Sequence, residues 1–269
     1  MGYKKILCAA TTYIILICSC NTGNNNKNPA PPKISAEEQL KQAITKHPDS
    51  LELIQNLIEL YRNNGDYDSA INLTNDLIKK DSDNVQLWDI KGTLFYENGD
   101  TLKAISAYET AINMYPMPEY VMALGTMYAQ TKNLKALEMA GALLIADKAK
   151  GQKEAWFIKG LYYTYTSNKK KAISYFDSCI NKDYTYMFAY REKAIALYDL
   201  GKYEDALIVL TRATTVQNNF DEGYYWMGRC YEKLSMNKQA IESYHTALLY
   251  DKDFIEAKEA LARLENKQK

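Results

Sequence analysis

Histidine is nearly missing from this chain: two residues, His47 and His245, stand near opposite ends of its 269 positions. Neither has Cys, Asp or Glu at ligand spacing, so a zinc or iron site lacks donors, and no Ser-His-Asp set can be assembled. Cysteine is scarce too. Cys8, Cys18 and Cys20 crowd the N-terminus and leave only Cys179 and Cys230 in the body, too few for a disulfide framework. The twelve glycines form neither a G-x-G-x-x-G fingerprint nor a phosphate loop. Charge of one sign is also lacking, with 33 basic residues against 33 acidic ones. The notable basic cluster is Lys169, Lys170 and Lys171, and a phosphate-backbone binder needs a stripe. No metal, no cofactor, no nucleic acid and no catalytic constellation is therefore expected.

What is present begins with an address. Met1 to Lys5 is short and basic, and Ile6 to Ser19 is mostly apolar. That run is shorter than the roughly 20 residues a bilayer-spanning helix needs, which suits a signal peptide. Ile17-Cys18-Ser19-Cys20 resembles the lipobox of bacterial lipoproteins. The resemblance implies cleavage before Cys20 and lipidation of its sulfur, with residues 1–19 removed. Several acyl chains anchor firmly where one does not. Residues 20–34 then supply a linker, rich in Asn and Pro, that has no hydrophobic pattern with which to form a core.

From residue 35 onward apolar residues follow helical spacing and recur about every 34 positions. Ala70, Ala104, Ala136, Ala172, Ala206 and Ala240 form one small-residue series; Gly92, Gly125, Gly160, Ala194 and Gly228 form another. Three residues after each member of the second series stands a large group: Phe95, Tyr128, Tyr163, Leu197 and Tyr231, with Tyr61 in the first copy. Small residues let two helices touch, large ones fill the layer to the next helix, and stacking buries what one repeat leaves exposed. Gly65, Gly99 and Gly201 sit where one helix ends and its partner begins, supplying a left-handed turn.

These residues resemble the tetratricopeptide repeat, whose signature is W-x2-L-G-x2-Y, then A-x3-F, then P. The second copy fits closely, with Trp88, Gly92, Phe95, Ala104, Tyr108, Ala111 and Pro116. The third departs most: its turn is one residue short, its second helix lacks an aromatic, and a longer connection, Asp147 to Lys153, follows it. The resemblance implies an all-α, right-handed superhelical solenoid of about six helix-turn-helix repeats. They are placed at 51–84, 85–117, 118–152, 153–186, 187–220 and 221–254. A half-repeat helix at 35–50 precedes them, opened by the capping-box pair Ser35 and Glu38, and a capping helix at 255–269 follows. Cys179 takes a slot that holds Ala111, Ala213 and Ala247 elsewhere, and so is expected to be a buried hydrophobe. Most of the 23 tyrosines fall in core slots of the repeat.

In this family the first helix of each repeat lines the binding face. By register, Gln55, Glu59, Asp89, Thr93, Tyr96, Met122 and Thr126 come from the first half. Members that clamp a chaperone's C-terminal carboxylate place Lys and Asn there, so this chain departs from them. In the second half Phe157, Leu161, Tyr165, Phe188, Arg191, Ile195, Tyr198, Tyr225 and Arg229 are expected to form an exposed apolar trough with two arginines, a composition enriched at binding hot spots. The function implied is a membrane-anchored, non-catalytic scaffold in the bacterial cell envelope that takes a protein or peptide ligand. An assembly factor for an outer-membrane complex, barrel-assembly or pilotin-like, is the alternative; an enzyme or carbohydrate binder fits less well. No acidic residue stands between Asn21 and Lys27, which points to an outer-membrane anchor facing the periplasm. Cys20→Ser is expected to leave a heavier precursor that no longer labels with fatty acid in cells, and normal maturation of that variant refutes the anchor.

Overall fold

A computed structural model describes residues 34–266. The expected signal segment, Cys20 and nearly all of the linker lie outside the described residues. Among those described there are fourteen α-helices and no strand, in two compact units. The unit up to Tyr115 holds α1 (Ala36–Lys46) and two helix pairs, α2 (Leu51–Asn63) with α3 (Tyr67–Lys80) and α4 (Val85–Glu97) with α5 (Thr101–Met114). From Pro116 the second unit holds α6 (Pro118–Gln130) with α7 (Lys135–Ala146), and α8 (Lys148–Tyr165) with α9 (Lys169–Lys182). It continues with α10 (Met187–Asp199) and α11 (Tyr203–Val216), then α12 (Asp221–Lys233) and α13 (Asn237–Tyr250), and ends on α14 (Ile255–Asn266). The all-α helix-turn-helix class expected from the repeats is the class observed.

One backbone device closes the first helix of all six pairs. After α2, α4 and α10 the chain turns through Gly65, Gly99 and Gly201 at φ of 75°, 86° and 74°. The next N–H then bonds back to the carbonyl of Tyr61, Phe95 or Leu197 at 2.8–2.9 Å. This is the six-to-one bond of a Schellman cap, which satisfies an otherwise orphaned carbonyl. Lys132, Ser167 and Ser235 adopt the same positive φ in the other three pairs and support the same bond, to Tyr128, Tyr163 and Tyr231. The large residues of the repeat thus have two roles, with the side chain in the layer and the carbonyl in the cap. Helix starts are capped by side chains as well. Ser35 accepts from the Glu38 N–H at 3.1 Å, and Asp66, Asp100 and Asn168 accept from the third residue beyond them.

Helix contact within a pair is set by one juxtaposition. A Cβ at Gly92 would fall 2.6 Å from the Tyr108 ring, at Gly160 2.5 Å from Phe176, and at Gly228 2.5 Å from Tyr244. All three rings are fully buried. They stand sixteen residues after their glycine, so the aromatic of the second helix lies on bare backbone of the first. At the same register in α10 and α11 the residues are Ala194 and Leu210, both buried. The smaller Leu stands where a Cβ is present. In the third pair, which has no aromatic there, Gly125 faces Ile158 of α8 and Met139 instead.

The connection expected between Asp147 and Lys153 is helix. Asp147 accepts from the N–H groups of Ala149 and Lys150 at 2.9 and 3.1 Å, so α8 starts at Lys148. Gly151 lies against the Leu143 carbonyl so closely that a Cβ would strike it. A run of Lys, Gly and Gln carries no apolar periodicity, yet one N-cap and one glycine suffice to continue the helix.

Gly160→Ala is expected to cost about 1–3 kcal/mol by overpacking. Combined with Phe176→Leu, it should cost clearly less than the sum of the single changes. Urea unfolding of the four proteins measures this, and strict additivity would show that the two residues do not share that contact.

Candidate functional site

In the first unit the polar groups of the first helices largely serve one another. The Tyr108 hydroxyl donates to Asp89 at 2.9 Å and stands 2.9 Å from the Thr93 hydroxyl. Arg62 of α2 pairs with Glu97 of α4 at 2.5 Å and with Glu59 at 3.1 Å. Gln55 is exposed. Thr126, of α6 in the second unit, is buried and bonds to the Met122 carbonyl.

The second unit overturns part of the expected trough. Phe157, Leu161, Arg191, Ile195 and Tyr225 are all buried. They do share helix faces, as their spacing requires, but first helices pack directly on first helices, α6 on α8 and α10 on α12. The stripe therefore fills the layer between helices. Phe157 meets Phe176 at 5.8 Å, Tyr186 at 5.3 Å and Phe188 at 6.5 Å between ring centroids. Tyr225 lies 4.9 Å from Phe254 and 5.8 Å from Tyr244. Tyr165, Phe188, Tyr198 and Arg229 remain half-buried, as does Trp226.

Arg191 is not free to receive a partner's carboxylate. Its Nη1 donates to Glu222 of α12 at 2.7 Å and its Nε to Glu192 at 3.1 Å. Glu192 is fully buried and occupies a place held by Ile90, Ala123, Ile158 and Trp226 in other repeats. Burial holds its carboxyl above the usual glutamate value, against the opposing pull of Arg191. Through Glu222, Arg191 also joins α10 to α12 by charge.

Arg229 behaves differently. It donates to the hydroxyls of Tyr225 at 2.9 Å and Tyr198 at 3.4 Å. Its guanidinium also lies over the rings of Tyr198, Tyr225 and Trp226, at 5.4–5.8 Å. No carboxylate pairs with it among the described residues. It opens on a pocket of about 370 Å³ lined by Tyr198, Arg229, Glu232, Lys233 and Arg263. Glu232 is engaged elsewhere: both its oxygens accept from Arg263, at 2.7 and 2.8 Å, and one also accepts from Tyr244. Glu232, Lys233 and Arg263 are absent from the residues expected at the site. Arg263 stands thirty-four positions after Arg229, so the repeat period extended into the terminal helix would have found it.

Cys179 and Cys230 are buried and unbridged, and burial pushes both thiols up to about 12, which leaves them protonated and inert. His47 and His245 are exposed.

With the helix pairs and their contacts established, the class is plain. Residues 35–94, 91–136, and 153–182 with 221–254 match family models described as tetratricopeptide repeat. The chain belongs to the tetratricopeptide-repeat family, whose members mediate protein–protein interactions. A tetratricopeptide repeat protein from Parabacteroides merdae superimposes with a TM-score of 0.70 at 20% identity, over 86% of this chain and 91% of that one. TTC0263 of Thermus thermophilus gives 0.57 at 16% identity, over 67% of this chain and 98% of that one. A chain of the APC/C Cut9–Hcn1 hetero-tetramer gives 0.56 at 18%, over 85% and 46%. At these identities the likeness is one of fold. In sequence, the DnaJ homolog subfamily C member 7 homolog of Schizosaccharomyces pombe is 21% identical over 235 residues, 86% of this chain but 45% of that protein. The chain thus spans less than half the length of that relative.

Arg191→Met is expected to destabilise the fold by about 3–5 kcal/mol at neutral pH, because it strips buried Glu192 of the guanidinium beside it. An acid with a raised folded-state pKa carries its full penalty above that pKa and is relieved as pH falls toward the ordinary value of 4.5. The deficit against wild type should therefore shrink between pH 7 and pH 5, and adding Glu192→Leu should recover most of it. Urea unfolding at both pH values measures this; a deficit below about 1 kcal/mol at pH 7 contradicts a desolvated pair.

Proposed function

We propose that this chain is a non-catalytic interaction scaffold, tethered through lipid on Cys20 to the bacterial cell envelope and holding a protein or peptide ligand on the first-helix face of its second unit. The observation that carries the reading is the half-buried aromatic set on α10 and α12. Tyr198 and Trp226 lie 5.5 Å apart, edge to face, with Arg229 over both. Tyr, Trp and Arg are the residues most enriched at interface hot spots, and these side chains are amphipathic enough to stay partly wet until a partner covers them. The Ile17-Cys18-Ser19-Cys20 segment supports the anchor, and the absence of acidic residues just after Cys20 supports a periplasm-facing position on the outer membrane.

Crosslinking of the tagged protein in its own cells, read by mass spectrometry, tests the reading. One or a few envelope proteins should be recovered with the wild type. Recovery should fall severalfold with Phe188→Ala plus Tyr198→Ala, at unchanged helical circular dichroism, and should hold with Gln55→Ala. Loss with Gln55→Ala alone would place the functional surface in the first unit. A complex that survives detergent and carries an outer-membrane barrel or secretin would favour the assembly-factor role over transient peptide capture.

A further inference from the structure

We infer that the pocket formed by α10, α12 and α14 receives acidic side chains of the protein partner, with Arg229 as the primary ligand and Lys233 as the second. The inference rests on the interaction reading above and adds the chemistry of what is bound.

The lining contains three cations and one carboxylate. That carboxylate, Glu232, is taken by Arg263 and the Tyr244 hydroxyl. Arg229 and Lys233 are left without an anionic partner among the described residues. Three half-buried lysines of this unit meet acids: Lys153 meets Asp183 at 2.9 Å, Lys169 meets Asp199 at 2.5 Å, and Lys193 meets Asp177 at 2.6 Å. Arg229 is instead held by tyrosine hydroxyls and aromatic rings. Three ring centroids lie within 5.8 Å of its guanidinium and two tyrosine hydroxyls accept from it, so two of its five N–H donors are used and the group is oriented before binding. A preorganised guanidinium loses little freedom when it accepts a carboxylate, and an Arg–carboxylate contact is among the stronger polar contacts.

Geometry selects side chains over a single chain end. Arg229 and Lys233 are four residues apart on one face of α12, separated by roughly 6 Å along the helix. Arg263, on the terminal helix, lines the same pocket with its guanidinium paired to Glu232. Two cations at that spacing match two acids along an extended segment, whereas one terminal carboxylate would leave one of the two unused. The Tyr198 wall offers the aliphatic stem of a glutamate an apolar surface. This also gives α14 a second role: besides covering the last apolar face with Ala257, Ala260 and Leu264, it supplies Arg263 at the place Arg229 holds one repeat earlier.

The test uses the mature protein and a decapeptide of alternating glutamate and alanine with both ends blocked, against its glutamine counterpart. The readout is the indole N–H resonance of Trp226, assigned by Trp226→Phe among the three tryptophans. The glutamate peptide should shift that resonance saturably and the glutamine peptide should not. Arg229→Gln should weaken binding about tenfold or more, as expected for loss of a charged hydrogen bond. Lys233→Gln, at an exposed position that leaves the fold intact, should weaken it a fewfold, and Arg212→Gln, outside the pocket, should leave it unchanged. Equal shifts from the two peptides, unchanged affinity in Arg229→Gln and Lys233→Gln, or a matching response to inorganic phosphate would each overturn the inference. So would binding that needs only a free C-terminal carboxylate on the glutamine peptide. A crosslinked partner retained in full by Arg229→Gln sinks the acidic site and leaves the scaffold standing; no crosslinked partner at all sinks the scaffold itself.

Discussion

The contact between bare helix backbone and a buried ring is the constraint on which the rest of this structure depends. Gly92, Gly160 and Gly228 each leave room for the aromatic sixteen residues later. The two helices of a pair can then approach until that ring seals the space between them. Everything outward from that contact is stacking. Once the pair is closed its outer apolar face has no cover, so the next pair must supply one. The pairing of Ala194 with Leu210 shows the same constraint from the other side, since a methyl group on the first helix coincides with a smaller residue on the second.

Close packing also explains which side chains are left for function. First helices that touch first helices draw position after position of the expected groove into the layer between them. Phe157, Leu161 and Ile195 go there because interiors reach crystalline density and leave no gap beside a large ring. Arg191 goes there as well, and its burial is tolerated because Glu192 and Glu222 accompany it. A buried pair of this kind is weak as a source of stability; it constrains which neighbour can sit against which, since α12 must bring Glu222 to Arg191.

Arg229 is the contrasting case. Two helices and a terminal cap converge on a cation whose near neighbours are rings and hydroxyls, and the acid lining the same pocket is held by another arginine. The aromatic set and the pocket adjoin, because Tyr198, one of the rings beside the guanidinium, also walls the space in front of it. The repeat period produces this convergence: Tyr198 and Glu232 share one register position, and Arg229 and Arg263 share another.

The sequence by itself determined the helical class and the turns. These depend on local chemistry read at a fixed period: glycine at positive φ, acids and serines at helix starts, small residues where backbones touch. It also placed Tyr198 and Arg229 on the first helices by register. What only the tertiary structure decided was depth and partnership. Periodicity says which residues share a helix face, and it is silent on how near the next helix lies across that face. Phe157 and Phe188 therefore read alike in sequence, yet one is buried and the other half-exposed. The same holds for the two arginines: Arg191 and Arg229 occupy neighbouring repeats on similar helices, and only the fold brings Glu222 to one and three aromatic rings to the other. The polar stretch before Lys153 was equally illegible as helix, since its order comes from an aspartate cap and a glycine pressed onto a carbonyl of the preceding helix.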